Sequence, residues 1–178
     1  MRIALAGVGG IGSNVALNLV RSGVDQLLLV DFDHVEASNL NRQFYFADQI
    51  GMFKVEALAI NLTRINPSAR LEPLVKRIDA TNCTNLFQEA DLVVEGFDRS
   101  SDKKMLLETL GAEKIIVSAS GIAGSELAPI TARRFGKGCI AGDFITDCAQ
   151  AQLYSHKVTT VANYMTEFIL DQAGVFHA

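Results

Sequence analysis

The sequence has few cysteines and no long apolar run, and each absence excludes a class of protein. Its 178 residues include three cysteines, none of them in a Cys-x-x-Cys pair. Neither a four-cysteine zinc site nor a disulfide framework is therefore indicated, and a reducing cytoplasm is the expected compartment. No apolar stretch reaches the roughly 18 uncharged residues that a membrane span requires, so no membrane association is expected.

The sequence also lacks an excess of basic charge. Sixteen Lys and Arg stand against twenty Asp and Glu, which gives a formal net charge of −4. Because nucleic-acid phosphates require a basic face, general binding to nucleic acid is not expected. Hydrophobic residues make up 49% and charged residues 20% of the chain, which is typical of a globular protein. The length predicts one domain over residues 1–178.

Short apolar runs alternate with amphipathic stretches along most of the chain. Strands are predicted at residues 2–6, 26–30, 71–75, 91–95 and 114–118, and an antiparallel strand at 128–135. Helices are predicted at residues 11–21, 54–65, 81–89 (with Thr81 as N-cap), 102–110 and 157–170, and a shorter one at 38–43. This alternation predicts an α/β fold with a Rossmann-like, doubly wound, mostly parallel sheet whose C-terminal portion is mixed.

A glycine-rich loop, GVGGIG, joins the first predicted strand to the first predicted helix. Gly7 permits the tight turn, Gly9 and Gly10 let the backbone approach a phosphate, and Gly12 allows close helix–strand packing. Asp31 ends the second strand, where a carboxylate can accept hydrogen bonds from ribose hydroxyls. The pattern predicts a nucleotide site without choosing between NAD and ATP, and taken alone it favours a nicotinamide enzyme.

The segment after the second strand has more polar groups than ribose binding requires. Arg42 offers a planar fork suited to phosphate oxygens. Ser38, Asn39 and Asn41 offer neutral hydrogen-bond donors. Lys54 begins the next predicted helix, and its ammonium can act as a point charge on a phosphate. These residues favour a triphosphate ligand.

Asp98 follows the predicted strand at residues 91–95, in a loop that contains a glycine. A carboxylate at the carboxyl end of a parallel strand lies in the ligand crevice of such a sheet. Hard oxygen ligands suit Mg²⁺. Asp98 is therefore a candidate magnesium ligand beside a triphosphate.

From residue 2 to residue 98 the sequence resembles the ThiF/MoeB/HesA family, the bacterial relatives of ubiquitin-activating E1 enzymes. The resemblance rests on GVGGIG, on VDFDHVEASNLNRQ, on the helix with Lys54 and on the strand before Asp98. Beyond residue 98, Gly142-Asp143-Phe144 and the closing helix fit the short "family 2" ThiF pattern. The resemblance implies ATP-dependent adenylylation of the C-terminal glycine carboxylate of a ubiquitin-like sulfur carrier, with release of pyrophosphate.

The resemblance also implies which residues act. It places ATP contacts at Gly10, Asp31, Ser38, Asn39, Asn41, Arg42 and Lys54, and Mg²⁺ at Asp98. The acceptor carboxylate is ionised at neutral pH, so no general base is needed. Catalysis by Arg42, Lys54 and Asp98 would consist of positioning two anions and neutralising charge. The implied partner is a ThiS-like carrier of thiamine biosynthesis, and the implied assembly is a homodimer.

The sequence departs from the family pattern in three places. The family commonly has Asn after the metal-binding aspartate, whereas Arg99 follows Asp98 here, with Lys103 at the later basic position. Either cation could bind a phosphate instead. Longer members have two Cys-x-x-Cys pairs and an N-terminal helical segment that supplies an arginine, and neither feature is present. Two alternatives stay open: a nucleotide-binding scaffold without transfer activity, and an NAD-dependent oxidoreductase.

Two further residues have weaker hypotheses attached to them. Cys148 lies in a polar stretch and could form a persulfide or thioester in a sulfur relay. No activating base is identifiable, so an ordinary thiol is the favoured interpretation. His34 lies near Asp31 and Asp33, which suggests a metal site, but a surface or loop-fixing histidine is favoured.

Overall fold

Seven strands form one sheet in the computed structural model, which describes residues 1–177. They are β1 (Ile3–Ala6), β2 (Gln26–Asp31), β3 (Arg70–Val75), β4 (Leu92–Glu95), β5 (Ile115–Ala119), β6 (Thr131–Phe135) and β7 (Gly138–Gly142). Their order is β3-β2-β1-β4-β5-β7-β6. Only the β6–β7 pair is antiparallel among these strands. The predicted Rossmann-like, mostly parallel sheet with a mixed C-terminal portion is confirmed. The expected domain extends to Ala178, which lies outside the described residues.

Helices cover both faces of the sheet. They are α1 (Gly10–Arg21), α2 (Lys54–Thr63), α3 (Cys83–Leu86), α4 (Ser100–Leu110) and α5 (Ser155–Gln172), with 3₁₀ turns at Ala37–Asn39, Ala47–Gln49 and Val175–His177. One core layer lies under α1, α2 and α5, and the other lies under α3 and α4. Across residues 1–177, none of the helices is long and apolar enough to cross a bilayer.

The central strands are apolar on both sides because both of their faces are covered. In β1, Ile3 and Leu5 enter the first core layer, while Ala4 and Ala6 enter the second. Successive side chains of a strand point to opposite faces, so an uninterrupted apolar run is the pattern of a buried parallel strand. This is why the short run after Met1 folds as a central strand.

The strand order reverses between β1 and β4. Chain crossovers run from β1 outward to β2 and β3 on one side, and from β4 to β5 on the other. Ligands of such sheets bind outside the carboxyl ends of the strands at this point. The two loops that meet there are the glycine loop after β1 and the loop that contains Asp98 after β4.

Two predicted helices are wrong in extent. The helix expected at residues 81–89 is the single turn α3, and its N-cap is Asn82 instead of Thr81. The Asp79 carboxylate accepts hydrogen bonds from the Thr81 hydroxyl and N–H, at 2.6 and 2.8 Å. These bonds hold Thr81 in a turn before the helix begins. The helix expected at residues 38–43 is reduced to the 3₁₀ turn at Ala37–Asn39.

Strand β7 was not predicted from the sequence. It begins and ends with glycine, and glycine in a strand is a weak signal. A Cβ atom at Gly138 would collide with the carbonyl oxygen of Ile116, and one at Gly142 would collide with that of Ser120. The strand therefore lies so close to β5 that only glycine fits at its two ends.

Candidate nucleotide site

The glycine loop brings three pieces of backbone into contact. Gly7 has a φ of +92°, a conformation that glycine adopts without strain. A Cβ at Gly12 would collide with the Gly7 carbonyl oxygen, and one at Gly96 would lie 2.8 Å from the same atom. The start of α1 and the loop after β4 are therefore packed directly against the turn. Gly9 and Gly10 are more open, with no neighbouring atom within 3.3 Å of an added Cβ.

Asp31 connects the end of β2 to the glycine loop. Its Oδ2 accepts the Val8 N–H at 2.8 Å, and its Oδ1 accepts the Asp33 N–H at 2.9 Å. Burial raises the pKa of Asp31 above its ordinary value, although these two hydrogen bonds and the charge of Lys54 oppose the rise. Each carboxylate oxygen can accept a further bond. The predicted contact with a ribose hydroxyl is compatible with this geometry and stays a prediction.

The polar segment after β2 is organised around Arg42. One guanidinium nitrogen of Arg42 donates to the Ser38 carbonyl at 3.0 Å and to Asn41 Oδ1 at 2.8 Å. Asn39 is buried, and its side-chain oxygen accepts the Glu36 N–H at 3.2 Å. Asn39 therefore shapes the loop, while Arg42 keeps further N–H groups available for an anion.

Two side chains of α1 hold this segment beside the glycine loop. The Asn14 amide donates to the Gly10 carbonyl at 2.7 Å and to the Arg42 carbonyl at 2.9 Å. The Ser13 hydroxyl oxygen accepts the Phe44 N–H at 3.0 Å. As a result, an added Cβ on Gly10 would lie 3.9 Å from Arg42 Cγ. The fold thus places the predicted phosphate-binding arginine next to the predicted phosphate-binding loop.

Lys54 is the first residue of α2 and is buried. Its ammonium lies 3.0 Å from Asp33 Oδ2, and its charge also influences Asp31. His34 follows Asp33 in the chain and packs its ring on Phe53, with 4.1 Å between ring centroids. Residues 1–177 contain no cluster of three potential metal-ligating side chains. The favoured loop-fixing interpretation of His34 stays a prediction, which the contact with Phe53 supports.

At the end of β4, Asp98 is exposed and has no hydrogen bond or ion pair with another residue in the described part of the chain. Its neighbour Glu95 is completely buried. Lys103 donates to both Glu95 carboxylate oxygens, at 3.0 and 2.8 Å, and to the Ala119 carbonyl at 3.2 Å. Because an ammonium has three N–H groups, none is left for a phosphate. Lys103 is therefore paired within the protein, whereas Arg99 is exposed and stays the better candidate for a phosphate contact.

Several residues of the site were missed in the sequence. Gln43 ends the polar motif, and its amide nitrogen would lie 3.7 Å from a Cβ on Gly9. Its Oε1 is buried and lacks a hydrogen-bond partner among residues 1–177. Buried polar atoms are normally bonded, so this oxygen fits a donor group of a bound nucleotide. The sequence feature that could have identified Gln43 is its position directly after Arg42 in the polar motif.

The loop between β7 and α5 begins with a second missed residue, Asp143. It forms an ion pair of 2.6 Å with Lys157, and the two residues are 5% and 0% exposed. Cys148 lies further along this loop and is exposed. Although the residue is exposed, partial desolvation of its sulfur raises the pKa of the thiol, and the charges of Lys103 and Arg42 oppose the rise. This direction favours the interpretation of Cys148 as an ordinary thiol, which stays a prediction.

The parallel sheet and the glycine loop at its carboxyl edge define a Rossmann-like α/β protein. The E. coli tRNA N6-threonylcarbamoyladenosine dehydratase TcdA, solved in complex with ATP, matches 99% of this chain and 86% of its own chain, with a TM-score of 0.87 and 19% identity. E. coli MccB, solved with AMPCPP and MccA, matches 97% of this chain and 55% of its own, with a TM-score of 0.77 and 21% identity. At these identities the likeness shows the fold.

Residues 1–168 match the ThiF family model, and the chain belongs to the ThiF family. The chain is also 51% identical over 70 residues to ubiquitin-like modifier-activating enzyme 5 of Drosophila persimilis. That match covers 39% of this chain and 18% of the relative. The chain therefore spans less than a fifth of the length of that relative.

Proposed function

We propose that this chain uses ATP to adenylylate the C-terminal glycine carboxylate of a small ubiquitin-like sulfur-carrier protein. The observation that carries the proposal is that the glycine loop lies beside the Arg42 segment and the loop after β4 where the strand order reverses. Membership of the ThiF family supports it. The ATP in the TcdA structure and the name of the Drosophila relative support a nucleotide and a ubiquitin-like partner.

The reaction requires positioning and charge neutralisation. An oxygen of the carrier carboxylate attacks the α-phosphorus and forms the new O–P bond. The bond from the α-phosphorus to the bridging oxygen breaks, and pyrophosphate leaves with the electron pair. No proton moves, because the attacking carboxylate is already ionised at neutral pH. The protein therefore needs donors and cations fixed around the phosphates in advance.

This chain's residues supply those groups. In the proposal, the open glycine-loop backbone at Gly9 and Gly10 faces the phosphates, and Arg42 contributes its free guanidinium N–H groups. Lys54 is held in place by Asp33 through one contact, which leaves two ammonium N–H groups for phosphate oxygens. In the proposal, Asp31 accepts a hydrogen bond from the ribose, and Gln43 Oε1 accepts one from a donor group of the nucleotide.

The donor set around Asp98 fits a magnesium ion bound together with the nucleotide. Mg²⁺ is usually held by one or two carboxylates, with substrate phosphates and water completing its shell. Asp98 is one exposed carboxylate at the crevice, and residues 1–177 hold no larger ligand cluster. When bound, the ion would neutralise phosphate charge.

The finer assignments rest on the resemblance to short "family 2" ThiF sequences. On that basis we propose a ThiS-like carrier in thiamine biosynthesis as the acceptor, and a homodimer as the assembly. Purified carrier and a mass measurement in solution test these two points separately.

Exchange of labelled pyrophosphate into ATP tests the proposed function. With a ThiS-like carrier present, exchange is expected; without the carrier it is expected to fall to background. Arg42→Ala and Lys54→Met are each expected to lower the exchange rate about tenfold to a hundredfold, because each removes charged hydrogen bonds to phosphate. Arg64→Ala is the matched control, since Arg64 is an exposed cation just after the other end of α2.

The outcomes separate the three functions considered. Binding of MgATP without exchange, for every carrier supplied, would favour the nucleotide-binding scaffold. Binding of NAD in place of ATP, unchanged by Lys54→Met, would favour the oxidoreductase. An equal fall in the exchange rate in Arg64→Ala and Lys54→Met would show that the rate depends on the positive charge near α2 in general and not on the proposed site.

A further inference from the structure

Tyr45 is a buried residue whose hydroxyl the proposed reaction does not use. It is 5% exposed, and its ring belongs to the core layer under α1 and α2. Its hydroxyl donates to the carbonyl oxygen of Val8 at 2.6 Å. Val8 lies in the middle of the glycine loop, 37 residues earlier in the chain. The buried hydroxyl of Tyr45 is therefore hydrogen-bonded to the backbone of the glycine loop.

The backbone of Tyr45 is fixed before its side chain reaches the loop. The preceding residue, Phe44, donates its N–H to Ser13 at 3.0 Å. The Phe44 carbonyl accepts the Asn61 amide of α2, also at 3.0 Å. Two helices thus hold the chain on either side, so the position of the Tyr45 hydroxyl is determined by the packed core.

The hydroxyl is held in its donor form. Burial raises the pKa of Tyr45 well above its ordinary value, and the nearby charges of Asp31 and Asp33 raise it further. An ionised phenolate next to the Val8 carbonyl would repel that oxygen. The neutral hydroxyl is therefore the form present at every pH at which the protein would work.

The Tyr45 bond determines the direction of the next N–H group. In a trans peptide the C=O and the following N–H point in opposite directions, and residues 1–177 contain no cis peptide. Because the Val8 carbonyl points to Tyr45, the Gly9 N–H points away from it. The Gly9 N–H has no hydrogen-bond partner among the described residues, and Gly9 is half-buried beside Gln43.

Glycine at position 9 makes this orientation easy to lose. Without a side chain, the peptide between Val8 and Gly9 could rotate and present its carbonyl oxygen to the crevice. An acceptor in that place would repel a phosphate, whereas an N–H would bind it. Asp31 already fixes the N–H of Val8 on the other side of the same residue. The peptide after Val8 depends on Tyr45 alone among the described contacts.

We propose that Tyr45 is a positioning residue that orients the Gly9 N–H toward the phosphates of the nucleotide. This inference rests on the proposed function for the presence of ATP in the site. It predicts that the Tyr45 hydroxyl contributes to the binding of phosphate and not to the binding of adenosine.

The test compares ATP with Mg²⁺, inorganic tripolyphosphate and adenosine, by calorimetric titration of the wild type and of Tyr45→Phe. The variant is expected to bind MgATP and tripolyphosphate about tenfold more weakly, the loss that one hydrogen bond accounts for. Adenosine affinity is expected to stay within twofold. Tyr164→Phe is the matched control, because Tyr164 is a partly exposed tyrosine on α5 whose hydroxyl contacts no part of the loop.

A second measurement uses the wild-type protein and so does not depend on the variant's folding. Addition of tripolyphosphate should move the amide resonance of Gly9 downfield, as expected for an N–H that gains an anionic acceptor. An unmoved Gly9 resonance on saturation would overturn the inference. Equal weakening of all three ligands in Tyr45→Phe would also overturn it, since that result indicates general destabilisation.

The failures of the two proposals are distinguishable. If the wild type binds MgATP and exchanges pyrophosphate while Tyr45→Phe binds MgATP equally well, the inference about Tyr45 is wrong and the proposed function stands. If the wild type binds neither MgATP nor tripolyphosphate, the site is not a phosphate site and both are wrong.

Discussion

Asp143 and Lys157 form an ion pair that is removed from water. Besides Lys157, the carboxylate accepts the N–H groups of Ile145 and Thr146, at 2.8 and 2.9 Å, and the Thr146 hydroxyl at 2.9 Å. Lys157 also donates to the Ala123 carbonyl at 2.5 Å. Burial by itself would raise the pKa of Asp143, but the bonds from Lys157 and Thr146 outweigh it and hold the pKa well below its ordinary value.

This pair gives a prediction about stability and pH. Asp143→Asn leaves the Lys157 ammonium buried without a counterion, and the free energy of unfolding at pH 7 is expected to fall by about 3 kcal/mol. Because the folded-state pKa is depressed, the pair's contribution is present above about pH 4 and is lost as the pH falls through the lower folded pKa. In denaturant titrations from pH 7 to pH 2, the free energies of unfolding of the wild type and of Asp143→Asn should converge.

Asp48→Asn is the control for this titration, since Asp48 is an exposed carboxylate. Its curve should follow the wild type within about 0.5 kcal/mol throughout. A constant difference between wild type and Asp143→Asn from pH 7 to pH 2 would contradict the role of the charge.

At the scale of elements, a buried network joins the end of β4 to α4 and β5. Glu95 on β4 accepts Lys103 of α4, and it also accepts the Ser118 hydroxyl of β5 at 2.5 Å and the Phe97 N–H at 2.7 Å. Four hydrogen bonds from three donor groups thus satisfy one buried carboxylate. The loop between β4 and α4, which contains Asp98, is fixed at both ends by this network.

Removal of the Lys103 ammonium should destabilise these elements. Lys103→Met is expected to lower the free energy of unfolding by about 3 kcal/mol, because it leaves the Glu95 charge buried without a counterion. Adding Glu95→Gln should recover much of the loss, since the amide oxygen still accepts hydrogen bonds and carries no charge. Chemical denaturation of the two variants measures this difference.

Lys104→Met provides the comparison, since Lys104 is the next residue of α4 and its ammonium is in solvent, 3.7 Å from Glu108. It should cost less than about 1 kcal/mol. The role of the buried pair would be refuted by a double variant that is less stable than Lys103→Met alone.

At the scale of the whole molecule, nucleotide binding should appear as added stability. A ligand at about 100 times its dissociation constant stabilises the native state by roughly 2.7 kcal/mol, which is several degrees in the unfolding temperature of a protein of this size. MgATP is expected to produce this shift and NAD is not. Thermal unfolding with each ligand measures it, and a shift with NAD alone would contradict the proposed function.

Local patterns in the amino-acid sequence were sufficient to predict the first half of the sheet. The run from β1 through the glycine loop to α1 and β2 was predicted because apolar strands, glycines and a helix follow one another within a single unit. Asp31 and Asp98 could be placed at the crevice because the carboxyl ends of parallel strands share one edge. The motif from Ser38 to Arg42 indicated phosphate chemistry through its residue types alone.

Contacts between side chains far apart in the sequence could be identified only in the folded protein. Tyr45 contacts Val8, Glu95 contacts Ser118, and Asp143 contacts Lys157 across folded elements, so no local pattern predicts these bonds. Strand β7 was not predicted because glycine is a weak strand signal. The reason for its glycines, the close contact with β5, is visible only in the fold. The physical reason is the same in each case. The partner of a buried polar group, and the need for glycine at a close backbone contact, depend on which elements pack together. That packing is a property of the whole chain.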